Sequence, residues 1–511
     1  MTSYNNRIAK NTGLLYLRLI LTMLVSLYTS RVVLQILGVE DFGIYSVVGG
    51  IIIMFGFFND ALSFTTQRFL SIEMGRNDPI ELKNVFSSSI TIHFTISLIV
   101  LILAESIGLW FLNNQLEIPD ERMSAANWVY QFSVLTFIIN ILSTPYNAAI
   151  IAHERMSFYA YLSIVESLLK LVIVFILSWG SLDKLKLYAT LIFVVSLCIR
   201  ILYQLYCKKS FSECKYEFRW DASLLKRLTF FSGWNLFGSI ASVANNQGIG
   251  FLLNIFFGVT INAAVGIANQ VNAAVYQFVV NFQMAFRPQI IKFYAEKNRD
   301  EMLLLVFRSC RFSYYLMLIL SFPLLFQTEE ILLLWLGDVP DSSIIFTQLI
   351  LINSLSYCIS GPLLTIVQAT GKIKGYQLII GGILLSVLPF SYIILKLGLN
   401  ASCVYITMVL FTATSVLARL IILKKLINFP LHPFLKEVIS RIAVTTFFSY
   451  VVVQLSSFLI GNISSDLFQL ILNLIFQLAI PALIIIIFGI DKNERTFLSG
   501  TCKKLFQNLS T

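Results

Sequence analysis

Ser30-Arg31-Val32-Val33-Leu34-Gln35-Ile36-Leu37-Gly38-Val39-Glu40-Asp41-Phe42-Gly43-Ile44-Tyr45 closes one long apolar run, turns within a few residues and opens another. The first run covers 13–37 and the second 43–66. Each has the roughly 20 apolar residues that a helix needs to cross a bilayer. The pattern continues at 86–112, 125–151, 158–180, 186–206, 228–256, 262–286, 308–327, 344–369, 376–396, 401–423, 438–460 and 467–489, for fourteen expected spans. Hydrophobic residues make up 57% of the 511, and charged residues 13%, against about 25% in a soluble domain. That balance excludes a soluble globular chain, which needs more polar surface, and a disordered one, which needs low hydrophobicity and high charge. The expected class is an all-α polytopic membrane protein.

The net charge is +10, from 37 basic and 27 acidic residues. No nucleic-acid partner is expected, because the basic residues form short clusters between apolar runs, where anionic membrane lipids hold them. Short loops rich in Lys and Arg stay in the cytoplasm. With a cytoplasmic N-terminus, the cytoplasmic segments and the span ends beside them hold 29 basic residues and the outer side four: Arg122, Lys184, Lys186 and Lys396. Fourteen spans then return the C-terminus to the cytoplasm. Trp110, Trp128, Trp179 and Trp335 fall at the expected outer helix ends, as an interfacial aromatic belt requires. No cleavable signal peptide is expected, since the first apolar run is about 25 residues, too long for an h-region, and carries arginines. The seven cysteines and three histidines form no CxxC or Cys/His cluster, so neither a metal site nor a cofactor is expected.

The chain also resembles itself. Leu37-Gly38-Val39 matches Phe257-Gly258-Val259 at an offset of 220, and Val85-Phe86 matches Val306-Phe307 at 221. Pro145 matches Pro362, Ala152 matches Ala369 and Tyr159 matches Tyr376, all at 217. The repeat unit is six helices, and an even number gives both halves the same orientation, as in transporters with parallel repeats. The expected organisation is an N-terminal lobe at 1–227, a C-terminal lobe at 228–436, and two extra helices with a tail at 437–511.

Further motifs accompany these: Gln67-Arg68-Phe69-Leu70, Ala152-His153-Glu154-Arg155-Met156, Arg287-Pro288-Gln289-Ile290 and Trp335-Leu336-Gly337. Together with the first stretch and the six-plus-six repeat, they resemble the multidrug/oligosaccharidyl-lipid/polysaccharide (MOP) exporter superfamily, and within it the Wzx-type polysaccharide or O-antigen flippases of the bacterial inner membrane. The resemblance implies a MATE-like, V-shaped pair of lobes. It implies export of an undecaprenyl-pyrophosphate-linked oligosaccharide by alternating access, with no enzymatic step. A proton or sodium ion as coupling ion and a polysaccharide polymerase as partner are further expectations.

Charge inside a span is costly, about 2.5–3.5 kcal/mol for a mid-helix arginine, and normally faces the bundle interior or water. Arg31, Arg18 and Lys170 are therefore candidates for a cationic cavity that neutralises a pyrophosphate, a task suited to the bidentate fork of arginine. The alternative for the arginines is snorkelling to the interface; for Lys170 it is pairing with Glu166 one turn earlier. Asp60, Glu105 and Glu166 are the acids within spans and the candidates for an ion-coupling site, against a purely structural role. Residues 228–286 carry no charge and hold twelve Asn or Gln. Asn262, Asn269, Asn272, Tyr276 and Gln283 share one helical face. Their amides both donate and accept, which suits sugar hydroxyls, although amides also hydrogen-bond helix to helix.

A MATE-type multidrug exporter and a lipid II flippase are the competing transporter readings. A site for cationic drugs favours buried acids, whereas the first span has two arginines and no acid. A membrane-embedded polymerase or glycosyltransferase is disfavoured, because no loop is long enough for a sugar-handling domain. The orientation is testable in a chain stripped of its native cysteines. Ser342→Cys should react with an impermeant thiol reagent applied outside the cell and Asn298→Cys should not; the reverse pattern inverts the topology.

Overall fold

The computed structural model describes residues 2–53, 56–114, 118–179, 183–217, 221–257, 260–336, 339–340, 342–460, 466–491 and 494. Among them every regular element is helical. Eleven helices are long and apolar enough to cross a membrane. The other three expected spans lie in α1 (Thr2–Ile53), α2 (Gly56–Arg76) and α9 (Thr260–Ala295), each of which includes side chains outside the described residues.

The chain forms two compact units. Unit 1 comprises Met1–Ile240, Met284–Arg299 and Gln368–Gln377. Besides α1 and α2 it holds α3 (Pro79–Leu103), α4 (Leu109–Asn114), α5 (Asp120–Ala152), α6 (Met156–Trp179) and α7 (Lys184–Ser210). Unit 2 comprises Ala241–Gln283, Asp300–Val367 and Leu378–Thr511. It is built on the latter half of α8 (Ala222–Phe257), most of α9, α10 (Arg299–Phe326), α11 (Thr328–Leu336), α12 (Ser343–Tyr357), most of α13 (Ser360–Thr370) and of α14 (Lys374–Lys396), α15 (Ser402–Ile427), α16 (Leu431–Phe434), α17 (Ser440–Ile460) and α18 (Asp466–Ile484). Large apolar side chains stand on the outside. Phe251 and Ile255, one turn apart on α8, are 72% and 73% exposed, an arrangement that only an apolar surrounding makes favourable.

In unit 1, α1 is bent at Gly38, whose φ of 81° and ψ of 169° belong to a region essentially restricted to glycine. Just beyond it Asp41 accepts from Arg122 Nε at 2.8 Å, while Arg122 Nη1 reaches Asp183 at 3.1 Å. Asp183 also caps α7, accepting from the amides of Leu185 and Lys186. One arginine thus ties three helix ends. The first repeat motif is a structural joint. Its counterpart Gly258-Val259 lies outside the described residues.

Other repeat positions share backbone detail. Asn77 and Lys297, 220 residues apart, are both left-handed, with φ of 55° and 59°. Each ends its helix with the same pair of bonds: Asn77 N to Met74 O and Asp78 N to Glu73 O, Lys297 N to Tyr294 O and Asn298 N to Phe293 O. This is the Schellman closure of a helix C-terminus. Glu154 and Gly371, at the 217 offset, are likewise left-handed, and each donates its amide to the carbonyl three residues back.

In unit 2 the expected span 344–369 falls on the single candidate span Ser343–Thr370, whose helix is interrupted near its middle. The helix stops at Tyr357 and restarts at Ser360. Pro362 has no N–H to give the carbonyl four residues back, that of Cys358. Gln283 supplies the donor instead: its Nε2 lies 2.8 Å from Cys358 O and 3.2 Å from Ser313 Oγ. Gly361 leaves the room, since a Cβ there would sit 2.0 Å from Gln283 Oε1. At a second break in regularity, the π-turn Ala104–Gly108 in unit 1, the Ala104 carbonyl accepts the Leu109 amide and also the Tyr130 hydroxyl, 2.7 Å away. At the far end of unit 2, buried Arg311 pairs with Glu494 at 2.7 Å and Asp491 at 3.4 Å, and Arg308 also reaches Glu494.

Replacing Gln283 by leucine strands the Cys358 carbonyl in an apolar setting. The expected cost is about 1–3 kcal/mol, read as a lower melting temperature of the purified protein in detergent. An unchanged melting temperature for Gln283→Leu contradicts this role.

Candidate functional site

Unit 2 contains a cavity of about 160 Å³ walled by α8, α9, α12, α14 and α15. Asn269, Asn272 and Tyr276 line it from α9, at the three- and four-residue spacing that puts side chains on one face. Asn245 and Asn246 face them from α8, Asn353, Ser354 and Tyr357 from α12, and Tyr405 and Thr412 from α15. Among the described residues no lining side chain carries a formal charge. Ile249 and Ile350 join the apolar cluster of Leu253, Phe346 and Val404, so the cavity rests on packed core.

Its polar groups are only partly used. Ser354 Oγ donates to Asn272 Oδ1 at 2.6 Å. Asn245 Oδ1, Asn353 Oδ1 and Tyr405 Oη are buried without a hydrogen-bond partner among the described residues. Each such group costs about 1–3 kcal/mol while unmet, and native proteins keep few of them. Three of them line one cavity, whose amide and phenol groups can donate to or accept from a polar ligand. At about 160 Å³ it is smaller than the roughly 300–1,000 Å³ of an ordinary small-molecule site. It suits one polar moiety, not a whole oligosaccharide.

Of the sequence candidates, the structure brings Asn269 and Asn272 to this cavity. It places Gln283 elsewhere, buried and committed to the helix break. The side chain of Asn262 lies outside the described residues. Asn245, Asn353 and Tyr405 were not singled out by sequence. The amide richness of 228–286 contained Asn245, but no sequence signal joined it to residues more than a hundred positions away.

The charged candidates sort differently. The side chains of Arg31 and Asp60 lie outside the described residues. In unit 1 the Arg18 guanidinium stands over the Tyr159 ring, 4.9 Å from its centroid, an attraction of cation and π-face. Lys170 Nζ lies 2.6 Å from Glu166 Oε1, so those two charges neutralise each other across one helical turn. Glu105, in the π-turn, accepts from Gln131 Nε2 at 3.0 Å. No group of three or more metal-ligating side chains occurs among the described residues.

A family model described as polysaccharide biosynthesis protein matches residues 8–294, more than half of the chain. The chain belongs to this family. No functionally curated protein matches its sequence. Among solved structures, it is similar to an outward-facing multidrug resistance MATE family transporter of the MOP superfamily, at 13% identity and a TM-score of 0.71, over 82% of this chain and 94% of that one. A MATE in the straight conformation gives 14% identity and 0.70, over 82% and 95%. A MOP superfamily transporter from Pyrococcus furiosus, described by a reversed polarity of its binding pocket, gives 14% and 0.66, over 81% and 94%. At such identities the likeness establishes the fold: this member of the polysaccharide biosynthesis family is built on the MATE-like plan of the MOP superfamily.

The Lys170–Glu166 pair separates structure from chemistry. Exchanging the two residues in one double variant keeps the pair while moving the cation by one turn. If the lysine only neutralises Glu166, the exchange should keep transport near the parent level while Glu166→Gln alone lowers it. Loss of transport in the exchanged variant at normal abundance assigns Lys170 a direct role.

Proposed function

We propose that this protein is a flippase that carries an undecaprenyl-pyrophosphate-linked oligosaccharide across the bacterial inner membrane by alternating access, with the uncharged cavity of unit 2 receiving sugar. The carrying observation is that cavity: amides and tyrosine hydroxyls line it, and among the described residues three of their polar atoms lack partners and no carboxylate lines it. Sugar hydroxyls both donate and accept, so they match amides and phenols in either sense, and tyrosine rings offer faces to the C–H side of a pyranose. Membership of the polysaccharide biosynthesis family and the transporter fold support a membrane exporter over an enzyme.

The lobes at 1–227 and 228–436, the cytoplasmic termini and the inner-membrane location belong to the same proposal. They rest on the internal repeat and the 29-to-4 bias of basic residues between the two sides. Arg18 and Arg31 on α1 are the proposed partners of the pyrophosphate, and Glu105 or Asp60 the proposed site of a coupling proton or sodium ion. A multidrug exporter of the same fold is the second reading. The absence of any formal charge from the unit 2 cavity tells against a cationic drug held there, since a cation stripped of water needs a compensating anion.

The test is complementation of a flippase-deficient strain, with surface polysaccharide and membrane abundance measured together. Asn353→Leu and Asn269→Leu should each insert normally and lower export, by about tenfold for a lost hydrogen bond of about 1.4 kcal/mol. Full export with both residues replaced removes the sugar from this cavity.

A further inference from the structure

Unit 1 holds a second concavity of about 270 Å³ with the opposite character. Arg68 and Arg76 of α2, Arg227 of α8 and Lys372 of the turn before α14 stand around it, with a single carboxylate, Glu73. That carboxylate is shared: Arg76 Nη1 is 3.2 Å from Glu73 Oε1, and Arg227 Nη2 is 3.9 Å from the same oxygen. Glu73 is 1% exposed, while Arg76 and Arg227 are 56% and 54% exposed at the rim. Arg68 has no ion-pair partner among the described residues. Its Nε and Nη2 donate to the carbonyls of Gln368 and Ala369. Its guanidinium carbon lies 4.6 Å from the Phe69 ring centroid and 4.4 Å from that of Phe231. Gly371 permits this approach, since a Cβ there would be 2.7 Å from Arg68 Nη2. The turn is thus built around a fixed, buried cation.

We propose that this basic concavity is a binding site for a phosphate group, with Arg227, Arg76 and Lys372 as its mobile contacts and the rigid Arg68 behind them. Four cations facing one carboxylate repel one another, and an anion in their midst relieves that repulsion. Guanidinium groups match phosphate oxygens in pairs of parallel hydrogen bonds. The exposed Phe230 ring beside Arg227 gives the site an apolar edge, so a phosphate attached to a lipid fits as well as a free one. The site shares no lining residue with the sugar cavity and does not depend on what that cavity holds.

The experiment uses the full chain in phosphate-free maltoside micelles at matched ionic strength, with melting temperature as readout. The probes are inorganic pyrophosphate and, separately, added phosphatidylglycerol. The test variant is Arg227→Gln with Lys372→Gln, two rim residues whose loss leaves Arg68 and the fold untouched. The control is Lys208→Gln with Lys209→Gln, exposed cations at the end of α7. Pyrophosphate should raise the melting temperature of the parent and the control, with its half-saturating concentration increased about tenfold or more in the rim variant. Stabilisation by phosphatidylglycerol alone, with the same dependence on the rim, assigns the phosphate to bilayer headgroups. No response to either probe, or a response that the rim variant keeps in full, overturns the proposal.

Discussion

A peptide carbonyl deprived of its helical partner inside an apolar layer has no water to turn to, and each one costs several kcal/mol. This constraint governs where the chain departs from regular helix. Cys358 loses its donor to Pro362 and takes the amide of Gln283. Ala104, whose carbonyl in the π-turn accepts the amide of Leu109 five residues on, takes the hydroxyl of Tyr130 as a second donor. In both places a glycine, Gly361 or Gly108, vacates the space that the incoming polar group fills. The break after Tyr357 has a functional corollary. Asn353, Ser354 and Tyr357 occupy the last turns before it and line the cavity of unit 2. Irregular backbone inside a membrane protein is tolerated where protein or a polar cavity lies beside it, and here both do.

Charge is divided with similar economy. The cavity that we assign to sugar has none. In unit 1, Lys170 is answered by Glu166, Arg122 by Asp41 and Asp183, and Arg18 by the face of Tyr159. The concavity around Arg68 departs from this rule, with its excess of cations over carboxylates. A cluster that folding does not neutralise is where an external anion gains most.

Much of the fold is legible in the sequence, because apolar run length is a direct consequence of the bilayer. The repeat offsets, read from a few glycines and prolines, reappear as matching left-handed turns at Asn77 and Lys297. What escaped was position along a helix. Asn269 and Gln283 share a helical face, yet fourteen residues at 1.5 Å each separate them by about 21 Å. One meets the cavity and the other the helix break. Arg68 stood in a motif that sequence tied only to kinship, since its partners are backbone carbonyls 300 residues away. A carbonyl acceptor leaves no trace in side-chain chemistry.

The pairing of Arg311 with Glu494 carries a consequence for biosynthesis. The two residues are 183 positions apart. At about 5–20 residues per second, the ribosome delivers the carboxylate roughly 10–40 s after the arginine. For that interval α10 holds a cation destined for burial without its partner, and the pair closes only as the final helix emerges. A transcript shortened before Glu494 leaves Arg311 and Arg308 with no such acid. Asp491 and Glu494 therefore complete a charge balance that α10 leaves open until they are made.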